Sequence, residues 1–278
     1  MHLSASPTCS SRCIVPREGW FLTLVVCVAL GGWPTPGGAR PLGREADDVP
    51  LIAAVKSEDP AAVRALLDEG ANVDAAQPDG ATALHWAVFR DNVAIADLLI
   101  DAGADVGAFN ELGATPLWLA ADNGSAPMVE RLLAAGARPN VALPEGETPL
   151  MTASRTGSVG AVRALLGAGA EVDASEETRG QTALMWAVAQ GHHAVVATLI
   201  EHGADVSARS KERARLMHAA NTNASQYDQG MMWNRGGFTP LLFAARHGDI
   251  ESAKLLLNAG AGVDDAAPTG GTPLVVAA

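Results

Sequence analysis

Cysteine is missing from everything after residue 27. The three present are Cys9, Cys13 and Cys27. Their position leaves the rest of the chain without a disulfide framework, a thiolate metal cage or a cysteine nucleophile. Aromatic side chains are scarce, at 4% with a single Tyr. That argues against a deep core built on large rings and for thin layers packed on small residues. Positive charge is short as well. Lys and Arg number 19 against 31 Asp and Glu, a net charge of −12, and no basic stripe offsets it. A phosphate backbone or an anionic membrane is repelled by such a chain, so nucleic acid is not an expected partner. Catalytic signatures are absent too. There is no G-x-S-x-G elbow and no G-x-x-x-x-G-K-[ST] loop. His192, His193, His202 and His247 have no HExxH or cysteine partner, so neither a metal nor another cofactor is expected. The 48% hydrophobic content nevertheless excludes a disordered chain.

What is present begins with an address. Arg12 and Arg17 precede the apolar run Trp20–Leu30, and Gly31-Gly32-Trp33-Pro34 then breaks any helix. The run is shorter than the roughly 20 residues of a membrane span. Small residues at Gly37 and Ala39 suit cleavage after Ala39. Residues 1–39 therefore read as a signal peptide and 40–48 as a linker. The expected location is exported, periplasmic or secreted, with no stable membrane span after cleavage. An uncleaved anchor stays open as the alternative.

The remainder is periodic. Threonines recur at Thr82, Thr115, Thr148, Thr182, Thr239 and Thr272, with steps of 33, 33, 34, 57 and 33 residues. Leucines follow two residues later each time, from Leu84 to Leu274. Glycines mark the other end of each unit at Gly70, Gly103, Gly136, Gly169, Gly203 and Gly260. Each unit reads as two short helices. The threonine caps the first, often with Pro next to it, as in Thr115-Pro116. That helix stops at Gly124, Gly157, Gly191 or Gly248, where a left-handed residue is cheap for glycine. In the first full unit this place is Asp91, so a weaker turn is expected. Apolar residues three and four apart, such as Val162, Leu165 and Leu166, mark the second helix. One such pair cannot bury its apolar face alone, whereas stacked copies can.

Asp79-Gly80-Ala81-Thr82-Ala83-Leu84-His85-Trp86-Ala87 and Gly103-Ala104-Asp105-Val106 resemble the ankyrin repeat in period, order and spacing. The resemblance implies an all-α repeat solenoid of stacked helix-turn-helix units with β-turn fingers. Its expected parts are a degenerate N-terminal repeat at 49–78 and repeats at 79–110, 111–144, 145–178 and 179–210. An insertion at 211–235, a repeat at 236–269 and the start of a truncated repeat at 270–278 follow. It further implies a non-catalytic scaffold that binds a partner protein through a concave face and fingers, here of the bacterial, exported type. In the family the histidine at the His85 position ties neighbouring turns. Trp118, Met151, Met185, Leu242 and Val275 replace it in the other units, so apolar packing is expected there.

On the implied concave face lie Trp86, Phe89, Arg90, Leu119, Asp122, Asn123, Arg155, Trp186, Gln190, Phe238, Phe243, Arg246 and His247. Exposed aromatics beside Arg, Asn and His are the residues that anchor protein interfaces. The insertion opens with a possible short helix at Lys211–His218 and carries Tyr227, Met231, Met232 and Trp233. These suit an adaptable contact surface. Asn223-Ala224-Ser225 within it fits a glycosylation acceptor of a eukaryotic secretory route. Two other readings remain. In one the chain is the regulatory portion of a longer enzyme whose catalytic domain lies beyond residue 278. In the other it is a purely structural spacer.

Overall fold

The helices come in pairs because a tight left-handed turn, at glycine in four units and at Glu58 and Asp91 in the other two, ends each first helix before the second begins. In the computed structural model, residues 49–217 and 231–278 are described, with side chains at 49–213 and 236–278. α1 (Pro50–Lys56) precedes α2 (Pro60–Asp68), and α3 (Ala83–Phe89) precedes α4 (Val93–Asp101). α5 (Pro116–Asn123) pairs with α6 (Ala126–Ala134), and α7 (Pro149–Thr156) with α8 (Val159–Gly167). α9 (Ala183–Gln190) is followed by α10 (His193–Glu201), and α11 (Pro240–His247) by α12 (Ile250–Asn258) and α13 (Pro273–Ala277). First helices pack on first helices in chain order, and second helices on second. The result is an all-α repeat solenoid.

The six threonines cap as expected. Their hydroxyls accept from the amides of His85, Trp118, Met151, Met185, Leu242 and Val275 at 3.2–3.5 Å. Each such cap stabilises its helix by about 1 kcal/mol. Gly124, Gly157, Gly191 and Gly248 take up left-handed φ values of +69°, +82°, +72° and +67° at the far ends. Glu58 and Asp91 stand at that place in the first two units and are driven to φ +54°. A residue with a Cβ is strained there, so the turn at Asp91 is the weaker one, as its sequence implied.

The core is thin and made of small and branched residues. Ala83, Leu84, Ala87, Leu99, Leu132, Leu165 and Leu199 are at most 1% exposed. At the places where other units replace His85, Met151, Met185 and Leu242 are fully buried. Apolar packing substitutes for the tie at these three, whereas Val275 is 66% exposed and does not pack in this way. Trp118 is half-buried, and its Nε1 has no partner. α6 is braced from outside by Arg131, which pairs with Asp97 and, at 2.6 Å, with Asp101 of α4.

His85 itself joins two layers. Nε2 lies 3.1 Å from the Ala114 carbonyl, which can only accept, so Nε2 carries the proton. Nδ1 then accepts from the Thr82 amide at 3.2 Å and faces its hydroxyl at 2.9 Å. Burial lowers the pKa of this imidazole below its ordinary value, against the opposing pull of the Ala114 carbonyl and Asp79. The unfolded chain takes up a proton near its ordinary pKa of about 6.5, and the folded chain resists it. The contribution of His85 is therefore complete above that pH and declines as pH falls towards and through the folded pKa. Urea titrations across this window should show the decline. His85→Ala should be less stable by about 1–3 kcal/mol at neutral pH, yet lose less on acidification. An unchanged pH slope in the variant would contradict the assignment.

The segment between α10 and α11 does not interrupt the stack. α9 packs directly on α11 and α10 on α12. The Ser210 amide bonds the Phe238 carbonyl at 3.1 Å, and Gly237 N–H returns to the Ser210 carbonyl at 3.0 Å. Arg209 then donates to the carbonyls of Gly237 and Ala266 and pairs with Asp265 at 3.1 Å. On the outer side His193 Nε2 meets Asp249 at 2.8 Å. Burial pushes the Asp249 carboxyl upward, but hydrogen bonds from Ser252 and His193 outweigh it and hold the carboxyl below the usual range. The short helix expected at Lys211–His218 is not formed. Arg213–Met217 is instead a strand, β1, paired antiparallel with β2 (Met231–Arg235) in the register Arg213↔Arg235 to Met217↔Met231. A lone helix of that length has no layer to pack on and is marginal, whereas pairing gives both backbones partners.

Residues 1–48, on which the signal-peptide and linker readings fall, Asn223 and Tyr227 lie outside the described residues. So do the side chains of Met231, Met232 and Trp233.

Candidate interaction face

The first helices and the turns before them place the rings of Trp86, Trp186 and Phe238 along the stack, each with a cation within 6.0 Å of its centre. Lys56 Nζ sits 4.2 Å from the centre of the Trp86 ring. Phe89 meets the same ring edge-on at 5.8 Å, and Trp86 Nε1 donates to Gln77 Oε1 at 2.9 Å. Two layers of side chains further along, Arg155 lies 5.8 Å from the Trp186 ring. Near the end of the stack Arg246 lies 6.0 Å from Phe238. Such pairs contribute about 0.5–1 kcal/mol each at exposed sites. Their larger effect is to fix long side chains in one orientation before anything binds.

The charges around the rings are arranged rather than scattered. Arg155 pairs with Asp122 at 2.8 Å and approaches Glu147 at 3.7 Å. Thr152, fully buried, donates its hydroxyl to the same Glu147 at 2.8 Å. Beneath Arg155 its own carbonyl is held by His192 Nε2 at 3.0 Å. An open hollow of about 350 Å³ lies beside Trp186, lined by Glu145, Glu147, Glu176, Thr178, Arg179 and Gln181. The Glu176 carboxylate, only 5% exposed, accepts from the amides of Thr178, Arg179 and Gln181 and shapes that wall. Trp186 Nε1 is buried with no partner. Exposed ion pairs such as Arg90 with Glu58, at 4.0 Å, contribute about 0–1 kcal/mol. Stability therefore does not account for this density of Arg, Trp and Glu.

Among the expected face residues, Phe89, Arg90, Asp122, Gln190, Arg246 and His247 are exposed, and Trp86, Leu119, Arg155, Trp186 and Phe238 are half-buried. Two do not stand as exposed contacts. Phe243 is only 9% exposed, because Phe238 covers it with ring centres 5.8 Å apart. It supports the face from beneath. Asn123 spends its amide on the neighbouring layer, donating to the Val88 carbonyl at 2.7 Å. The Val88 carbonyl already accepts from the Asp91 N–H at 2.8 Å, and this amide is its second donor.

Three residues escaped the sequence reading. Lys56 stands 33 residues before Phe89, so the repeat register already placed it on the face. Phe109 and Leu112 lie on the turn between α4 and α5 and are each 70% exposed. Their signal was two large apolar residues in a turn, where polar residues are the rule. Among the described residues, no group of three or more His, Cys, Asp or Glu converges as a metal site. No described helix is long and apolar enough to cross a membrane.

Comparisons with known proteins agree with this architecture. A family model described as Ankyrin repeats (3 copies) matches residues 42–110 and 117–210, and one described as Ankyrin repeats (many copies) matches 184–257. The crystal structure of the human ASB11 ankyrin repeat domain is similar, with a TM-score of 0.66 and 27% identity. The match covers 83% of this chain and 92% of that one. Comparison with curated proteins yields no match.

Proposed function

The chain belongs to the ankyrin-repeat family, and from that premise we propose that it is a non-catalytic binding scaffold of the cell envelope. Ankyrin repeats are protein-interaction modules. This one holds its partner protein on the face lined by Trp86, Phe89, Arg90, Leu119, Asp122, Arg155, Trp186, Gln190, Phe238, Arg246 and His247. The observation that carries the reading is the set of three rings, Trp86, Trp186 and Phe238, each already under a cation. Trp and Arg are the side chains that dominate interface energies, and holding them in place before contact lowers the ordering cost of binding. The net charge of −12 disfavours nucleic acid as the partner. Export rests on the apolar run Trp20–Leu30 and the small residues before Arg40.

The test is quantitative capture from an envelope extract, with the retained proteins identified by mass spectrometry. Trp86→Ala and Trp186→Ala are each expected to weaken retention of the main partner by about tenfold, the effect of losing an interface anchor. Circular dichroism checks that the helices persist. Retention unchanged in the double variant would overturn the face. In the same preparation, a mature chain starting at Arg40 supports export, and an intact Met1 contradicts it.

A further inference from the structure

The turn at 107–114 is built more rigidly than its exposure requires. The Asn110 side-chain oxygen accepts from the amides of both Leu112 and Ala114 at 3.0 Å. Its backbone N–H bonds the Ala114 carbonyl at 3.1 Å. Glu111 N–H reaches across to the Asp79 carbonyl of the preceding finger at 2.8 Å. On the other flank Gly113, at φ +77°, lies so close to Pro144 that a Cβ would come within 2.8 Å of that ring. The finger is clamped on both sides, and it presents Phe109 and Leu112 to solvent.

A single exposed apolar residue is ordinary. Two on one clamped turn, without a core to join, make a preformed apolar knob. Its surroundings are mainly acidic, with Arg138 beside Gly107 and Lys211 on the Glu177 carbonyl as the neighbouring cations. Glu111 lies between the two in sequence, and Asp79 and Glu145 stand at the neighbouring tips, with Glu177 beyond; all four are exposed. Glu177 N–H is tied to the Glu145 carbonyl at 2.8 Å, repeating the tie between Glu111 and Asp79. Among the described residues the carboxylates of Glu111, Glu145 and Glu177 enter no ion pair. The ring-bearing face, by contrast, carries the cations Lys56, Arg90, Arg155 and Arg246.

We propose that the fingertips form a second docking surface, distinct from the ring-bearing face, for a partner segment whose apolar side chains alternate with Lys or Arg. The inference rests on the protein-binding reading above and adds the chemistry of one contact. Apolar side chains of the segment cover Phe109 and Leu112. Its cations meet Glu111 and the acids of the flanking tips, which rejects an acidic segment.

The test uses the full chain and a fluorescent synthetic peptide alternating Lys with Leu, read by anisotropy. Three controls accompany it: Ser in place of Leu, Glu in place of Lys, and phosphatidylcholine vesicles. Only the Lys–Leu peptide is expected to bind. Phe109→Ser with Leu112→Ser should weaken it about tenfold or more, and so should Glu111→Lys with Glu145→Lys, with affinity falling as salt rises. Trp86→Ala with Trp186→Ala should leave the peptide affinity unchanged. Absence of binding, equal binding of the Ser peptide, or indifference to the tip variants would overturn the proposal. Vesicle binding that the tip variants abolish would assign the knob to a lipid surface and overturn it equally. If the tip proposal fails while the Trp variants still lose the captured partner, the protein-binding reading stands.

Discussion

Leu165→Ala is expected to lower the unfolding free energy by about 2–5 kcal/mol, the usual cost of emptying a fully buried leucine site. Leu165 lies on α8, is fully buried, and belongs to the continuous core. Its helix packs on α6 before it and α10 after it, so the cavity is shared by two interfaces. In a stacked array each layer is stabilised mainly by its neighbours. The substitution should therefore broaden the transition as well as shift it, letting the flanking layers unfold apart. Leu256→Ala, at an equally buried leucine of α12, should cost a similar amount locally but spare the layers before it. Urea titration followed by far-ultraviolet circular dichroism distinguishes the two. A single sharp transition shifted equally in both variants would contradict the layered description.

The second large effect separates two causes at one structural position. Gly157 and Gly191 end α7 and α9 with left-handed φ values of +82° and +72°. A Cβ on Gly191 would meet nothing within 4 Å, whereas one on Gly157 would fall 2.7 Å from the ring of His192. Gly191→Ala should therefore cost about 1–2 kcal/mol from backbone strain alone. Gly157→Ala carries the same strain and also displaces His192, whose Nε2 bonds the Arg155 carbonyl. Losing that bond adds about 1 kcal/mol. The displaced ring also loosens the helix end that carries Arg155, so partner binding should weaken in Gly157→Ala and not in Gly191→Ala. Thermal melts and capture of the two variants side by side read both effects. Equal losses in the two would show that the His192 contact has no energetic weight.

Much of the fold was legible because it is local and repeated. A threonine start, a glycine stop and three- and four-residue spacing recur with nearly constant period, and each has a short-range physical cause. Even the weak spot at Asp91 was visible as a missing glycine. The hairpin of β1 and β2 was not, because Lys211-Glu212-Arg213-Ala214-Arg215-Leu216 has the composition of a helix start. Its strand partner lies beyond residue 230, a pairing that local propensity does not encode. The face was legible by register and misjudged by depth. Phe243 holds the register position of Trp186 but is covered by Phe238, a contact between residues on either side of a cap. Asn123 holds a face position and is recruited by the Val88 carbonyl at the end of α3. Phe109 and Leu112 obey no period at all, so the repeat register does not mark them.

The proposed partner-binding side of the stack is the one lined by the first helices and the turns before them. Hydrogen exchange of the chain, free and with its captured partner, measures this directly. Amides at the ends of α3, α5, α7 and α9 and in the adjoining fingers should gain protection, while the outer surfaces of α4, α6, α8 and α10 stay unchanged. Protection confined to those second helices would place the partner on the opposite side and contradict it.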